Sequence, residues 1–123
     1  MNYTLLIYLD EKQFTSLPKD EQNRIHQACG AWHDELVKSG HSRAALGLQS
    51  AALTTTLRSR EGKILATDGP FAESKEVLGG LENLVCRDHA EALAIARRFP
   101  GLVSGHCTVE LRPEVEGGQC EAK

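Results

Sequence analysis

The sequence predicts an α+β domain of ferredoxin-like topology, β-α-β-β-β-α-β, in which an antiparallel sheet carries two helices on one face. Three observations predict it. Five short β-prone runs occur at residues 3–9, 53–58, 62–67, 80–86 and 106–112, two stretches of helical periodicity lie at 18–39 and 88–99, and no internal repeat or linker separates them. At 123 residues the chain forms one domain, expected over 1–113, with a polar tail at 114–123.

Residues 3–9 (YTLLIYL) are apolar at both parities, with Tyr3, Leu5, Ile7 and Leu9 on one side and Leu6 and Tyr8 on the other. Both sides of this strand must therefore be covered. Over 18–39 the spacing turns helical: Ile25, Ala28, Cys29, Trp32 and Leu36 form one stripe, Pro18, Asp20 and Glu21 suit the first turn, and Lys38 with Gly40 suits the end. Residues 44–52 carry no decisive pattern, whereas 53–58 (LTTTLR) and 62–67 (GKILAT) read as a hairpin turning at 59–62. After the strand at 80–86, Asp88 and Glu91 make a D-x-x-E cap for the second helix, whose buried face is Ala92, Ile95, Ala96 and Phe99 and which Pro100 and Gly101 stop. In the last strand Cys107, Val109 and Leu111 alternate with His106, Thr108 and Glu110. Helices on one face leave Leu6 and Tyr8 bare on the other, which predicts a homodimer through sheet faces and a small-molecule cleft at its rim.

Fourteen Lys+Arg against 17 Asp+Glu give a net charge of −3, which argues against nucleic acid as a partner. No apolar run approaches the ~20 residues that span a bilayer and the N-terminus lacks signal-peptide features, so a cytoplasmic location away from membranes is expected. Cys29, Cys86, Cys107 and Cys120 form no CxxC pair and no dense framework. They read as reduced thiols, Cys86 and Cys107 as small buried hydrophobes and Cys120 as the one that oxidises. His26 and His33, seven apart, share a helix face as partly exposed edge residues, with no third ligand to complete a metal site, and His41 and His89 read as surface. No GxGxxG, P-loop or GxSxG occurs, and no cofactor is expected.

The chemistry-bearing residues concentrate at 67–80, TDGPFAESKEVLGG. Pro70 fixes its own φ and restricts Gly69, so the Asp68 carboxylate is held just past a strand end while Phe71 can anchor the loop in the core. Asp68 then acts either as base, acid or ligand anchor, or as the cap of its own turn; both uses want the same residue. Arg58 and Arg60 at the close of the second strand and Lys75 in the loop can grip an anion, with Phe71 and Glu73 as further ligand contacts, or the arginines form an ordinary exposed hairpin end. His106 and Glu110, opposite the apolar side of the last strand, face the partner cleft, where His106 supplies a near-neutral base and Glu110 a ligand contact. Gly79 and Gly80 read as a backbone bend entering a strand.

The run TDGPFAESKEVLGG resembles the hallmark of DGPF proteins in the YCII-related family, T-D-G-P-F-A-E-S/T-K-E-x-L-G-G. The likeness extends over residues 3–113: a YxLLIY strand, a long helix ending near Gly40, a Gly47-Leu48 turn, Thr55 to Arg58 as T-T-x-R, a D-x-x-E-A-L-x-I-A helix at 88–96, and V-E-V/L-R-P at 109–113. The resemblance implies a dimeric α/β barrel of intracellular bacterial proteins, some of them linked to sigma factors of the extracytoplasmic-function type. It also implies enzymatic chemistry through a His–Asp pair, of elimination (lyase) type in some members. Here that first-helix His position falls at Cys29, with His26 and His33 three and four residues away, so the pair does not carry over. Asp68 matches the DGPF motif's own Asp. Two functions follow: a metabolite-binding protein with cofactor-free acid–base or elimination chemistry, or a non-catalytic regulatory module acting through protein contacts.

Overall fold

The computed structural model describes residues 1–116. In chain order the elements are β1 (Asn2–Leu9), α1 (Glu11–Thr15), α2 (Lys19–Lys38), β2 (Ser42–Gly47), a 3-10 turn (Ala51–Leu53), β3 (Thr55–Arg60), β4 (Lys63–Asp68), β5 (Val77–Val85), α3 (His89–Arg97), α4 (Pro100–Val103) and β6 (Cys107–Pro113). Four strands form one antiparallel sheet in the order β2-β5-β1-β6, and β3 and β4 form a separate two-stranded sheet. The α+β class and its antiparallel sheet are as the sequence predicts.

One strand assignment needs correcting. The second strand of the main sheet is β2, from a stretch without decisive pattern, and the hairpin at 53–67 stands apart from that sheet. Strand β2 bonds to β5 alone and is almost wholly exposed, so it carries small residues where a buried strand would carry branched ones. The closeness of the pair needs a glycine opposite: a Cβ on Gly80 would lie 2.8 Å from the Leu46 carbonyl oxygen. The hairpin turns tightly through Glu61 (φ 52°) and Gly62 (φ 78°), the pair of left-handed residues that matches strand twist in a two-residue loop.

The core lies between the sheet and α2 and α3. Tyr3 and Leu5 of β1, Leu84 of β5, Trp32 and Leu36 of α2, Ala92, Ile95 and Ala96 of α3, and Phe99 close it, with Cys107, Val109 and Leu111 packed against its edge. Trp32 meets Phe99 edge to face at 5.1 Å between ring centroids. The predicted α2 stripe holds for Trp32 and Leu36; Ala28 instead stands exposed. Helix α3 is opened as expected, Asp88 accepting from the Glu91 N–H at 2.9 Å while Glu91 accepts from the Arg87 N–H at 2.9 Å. Pro100 stops α3 and begins the single turn α4, which, like α1, is too short to show a helical period.

On the opposite face of the sheet, Thr4, Leu6 and Tyr8 of β1 stand beside Leu81 and Asn83 of β5 and Glu110 of β6, because paired residues in an antiparallel sheet share a side. At one end a polar network crosses all four strands: Glu114 accepts from Thr4 at 2.8 Å, from Asn83 at 3.1 Å and from Arg43. Burial alone would raise the Glu114 carboxyl, but these hydrogen bonds and the Arg43 charge hold it below its usual range. At the other end β5 bulges: Ile7 pairs with Gly80 but Tyr8 with Leu78, leaving Gly79 as the extra residue, and a Cβ there would strike the Leu9 side chain.

Candidate functional site

The DGPF loop leaves the end of β4, where Asp68 pairs with Thr55. Gly69 turns the chain at φ 96°, its N–H donating to the Thr54 carbonyl at 2.7 Å while its own carbonyl accepts from the Thr56 hydroxyl at 2.7 Å. These bonds close the turn without the Asp68 side chain. Among the described residues no group donates to the exposed Asp68 carboxylate, which speaks against the turn-cap use and leaves its charge free. Arg58 reaches across the hairpin to donate to the Phe71 carbonyl at 3.1 Å, with its guanidinium 5.9 Å from the Phe71 ring centre. Phe71 does not anchor the loop in the core, as the sequence suggests; it is 75% exposed, held up by Arg58. Glu73 and Lys75 stand exposed on the loop beyond it.

Between this loop, the 48–54 segment and the bulged end of the sheet lies a cleft of about 610 Å³. Tyr8 and Leu78 line it from the sheet, Leu48 and Leu53 from the segment, and Pro70 and Phe71 from the loop. The bulge at Gly79 turns Leu78 to the same side as Tyr8 and so builds this wall. Glu110 lies diagonal to Tyr8 across the β1–β6 pair, and its carboxylate, as an acceptor that favours the protonated phenol, holds Tyr8 above its usual range, with burial and like charge adding to the shift.

His106 falls elsewhere. It precedes β6 in the turn after α4, with Nδ1 2.8 Å from the Ser104 hydroxyl and its ring edge-on to Phe14 at 6.3 Å. Packing against Phe14 draws it off the alternation of the strand. The structure therefore separates His106 from Glu110 and gives it no contact with Asp68.

A second polar centre was not legible. Glu82 of β5 is 3% exposed and points to the helix side of the sheet, where its carboxylate accepts from His33 Nδ1 at 2.9 and 3.0 Å and from the Ser42 hydroxyl at 2.5 Å. His33 is thus no free edge residue, and the chain does hold a first-helix histidine bonded to a carboxylate. Facing a carboxylate that can only accept, Nδ1 is the donor in this contact. The one available signal was a Glu at the inward parity of an otherwise apolar strand. His41 is also tied, 3.4 Å from Glu91 and 2.7 Å from the Ser39 hydroxyl.

Among the described residues, no cluster of three or more His, Cys, Asp or Glu side chains is placed to hold a metal, and no helix is long and apolar enough to cross a membrane. Cys29, Cys86 and Cys107 are free thiols. Cys86 is buried as expected and Cys107 is half-buried. Burial pushes all three up, Cys107 to about 11. Cys120 lies outside the described residues.

Residues 1–114 match the YCII-related domain. The chain belongs to the YCII-related family. It is 32% identical over 113 residues to an uncharacterized protein of Rhizobium meliloti (strain 1021), covering 92% of this chain and 91% of that one. Its fold is similar to that of 5-chloro-2-hydroxyhydroquinone dehydrochlorinase from Burkholderia phenoliruptrix AC1100, solved with 2,5-dihydroxybenzoquinone. The two superpose with a TM-score of 0.56 at 10% identity, over 97% of this chain and 100% of that chain, so the likeness is one of fold.

Proposed function

We propose that this YCII-family protein works as a cytoplasmic homodimer that binds a small anionic or aromatic metabolite beside Asp68 and carries out cofactor-free acid–base chemistry of elimination type on it. The observation that carries the reading is the cleft of about 610 Å³, largely apolar and walled by Tyr8 beside Glu110. A planar ring fits against Phe71, Pro70 and Leu78, and a fold-mate that is a dehydrochlorinase solved with a quinone supports the substrate class. Glu110, diagonal to Tyr8 on the next strand, acts as the proton acceptor; Asp68, two residues before Pro70, and Arg58, bonded to the Phe71 carbonyl, act as charge partners, with Lys75 and Glu73 on the same loop. In the elimination the carboxylate takes a proton from the substrate, the electron pair left behind forms a double bond, and the leaving group departs with its own pair.

The homodimer is supported by the uncovered face around Leu6 and Leu81 and by the exposed Phe71, Leu46 and Leu53 near the cleft. A second reading, a regulatory module linked to a sigma factor by protein contacts, draws support from the hairpin, where Leu57 and Ile64 are exposed on one side of two strands that pair only with each other. The test is thermal melting with 2,5-dihydroxybenzoquinone together with chloride release from 5-chloro-2-hydroxyhydroquinone. A ligand at ~100 times its dissociation constant adds about 2.7 kcal/mol of stability. Glu110→Gln should keep the fold and lose turnover, and Asp68→Asn should keep the fold and lose affinity. No stabilisation and no turnover, or both functions unchanged in the two variants, would favour the regulatory module.

A further inference from the structure

The β3–β4 hairpin is a ribbon whose strands pair only with each other, and every residue of it except Thr56 is exposed. Two strands alone are marginal in water and need a packed face to persist. The register shows which side can be packed. Leu57, Ser59, Ile64 and Ala66 share one side, and Arg58, Arg60, Lys63 and Leu65 share the other. All the cations of the ribbon thus stand on one side, while the opposite side carries no charge between Asp68 at its root and the turn. On that uncharged side Leu57 and Ile64 are 66% and 70% exposed.

The root of the ribbon decides what can cover it. The Gly69 N–H donates to the Thr54 carbonyl across the root, and Leu53, Thr54, Pro70 and Phe71 line the cleft together with Tyr8 and Leu78. The ribbon therefore stems from the open face of the sheet and not from the helix side. More than half of the large hydrophobic residues that stand exposed among the described residues fall between positions 46 and 78, on the rim of this cleft and on the ribbon. Apolar surface concentrated in this way is rare on a monomer.

We propose that the uncharged side of the ribbon packs on a second copy of this chain, across the mouth of that copy's cleft, so that Leu57 and Ile64 of one copy close the site formed by Tyr8, Leu78 and Phe71 of the other. The proposal rests on the homodimer of the preceding reading and adds the exchange of hairpins to it. A second copy seated on the open face meets a ribbon stemming from that same face, and twofold symmetry returns its own ribbon to the first. One operation then covers ribbon, cleft rim and bare sheet. Sheets meeting face to face without the exchange leave both ribbons in water, and an unrelated protein on the ribbon leaves the sheet face bare.

Light scattering at micromolar concentration should give roughly twice the 13.4 kDa of one chain. Leu57→Asp combined with Ile64→Asp should weaken the self-association about a hundredfold or more, whereas Leu65→Asp, on the charged side, should leave it unchanged. Trp32 fluorescence reports the helix–sheet core and shows that each variant is folded. In the unsubstituted chain, hydrogen exchange of the amides at 55–68 should be slow in the dimer and become fast on dilution to monomer. With the photo-crosslinker benzoylphenylalanine placed at Leu57 and an equal mixture of light and heavy-isotope chains, crosslinks should join light to heavy and land at 48–54 or 70–78. A dimer that the Leu57 and Ile64 substitutions do not weaken, whose ribbon exchanges fast, or whose crosslinks stay within one chain would overturn the exchange and leave the homodimer standing. A monomer at this concentration would overturn both, and would return the hairpin to the regulatory reading.

Discussion

The His33–Glu82 pair sets a sharp test because its two members differ in exposure. The Glu82 side chain is 4% exposed and accepts two close contacts from His33 Nδ1 and one from Ser42, while His33 is 34% exposed. In His33→Ala the Glu82 carboxylate keeps Ser42 as its donor among the described residues. A sealed ion pair broken on one side costs about 3–5 kcal/mol. Here water can follow the deleted imidazole through its exposed third, so about 2–3 kcal/mol is expected, nearer the loss of one hydrogen bond to a charged group. Glu82→Leu removes the charge itself and leaves a histidine that water can solvate, costing roughly 1–2 kcal/mol. The double variant should then cost little more than Glu82→Leu alone, giving a coupling of about 1.5–2.5 kcal/mol. Urea unfolding followed by Trp32 fluorescence measures all four proteins, and for a domain of this size His33→Ala should lower Tm by roughly 10 °C. Additivity of the single changes to within about 0.5 kcal/mol would refute the buried pair.

Three further outcomes follow from the packing and the titrating groups. Trp32→Ala should cost about 3–5 kcal/mol in urea unfolding, since the residue is 8% exposed and packs edge to face with Phe99; a loss under about 1 kcal/mol would mean the α2 face is misassigned. Glu114, held below its usual range, contributes stability that is full above the unfolded carboxyl value and is lost as pH falls through the folded one. Glu114→Gln should therefore be less stable than wild type at neutral pH, with the gap closing on acidification; a gap that widens in acid reverses the sign and sinks the argument. Cys29, Cys86 and Cys107, all raised, should react with iodoacetamide only after unfolding, as read by intact mass; labelling in the native protein at the denatured rate would contradict their burial.

What could be read from the sequence was whatever follows from a repeating contact. Strand β1, helix α2 and helix α3 bury one face each and so print a period, and Asp88 with Glu91 prints the cap. Strand β2 buries almost nothing and prints no period, which is why the hairpin was given its place in the sheet. The DGPF loop was legible as a tight turn between strands, yet the use of its side chains was not: Phe71 is an apolar residue that the fold leaves outside, under Arg58. His106 misled because alternation fixes a strand's residues and it lies one place before the strand begins. The Glu82 centre joins residues 33, 42 and 82, a separation that no local pattern spans.

Gly79 has a reach well beyond its own position. Along β5 the even-numbered Gly80, Glu82 and Leu84 face the helices, and by simple alternation Leu78 would do so as well. The extra residue shifts the count by one, so Leu78 arrives on the side of Tyr8, and the chain that precedes it, Pro70 and Phe71 included, is delivered to the open face. Deleting one residue there would not merely tighten a strand; it would turn the whole loop half a revolution about β5 and bring its side chains up against α2. Which side of the sheet holds the cleft is set by residue parity at a single glycine.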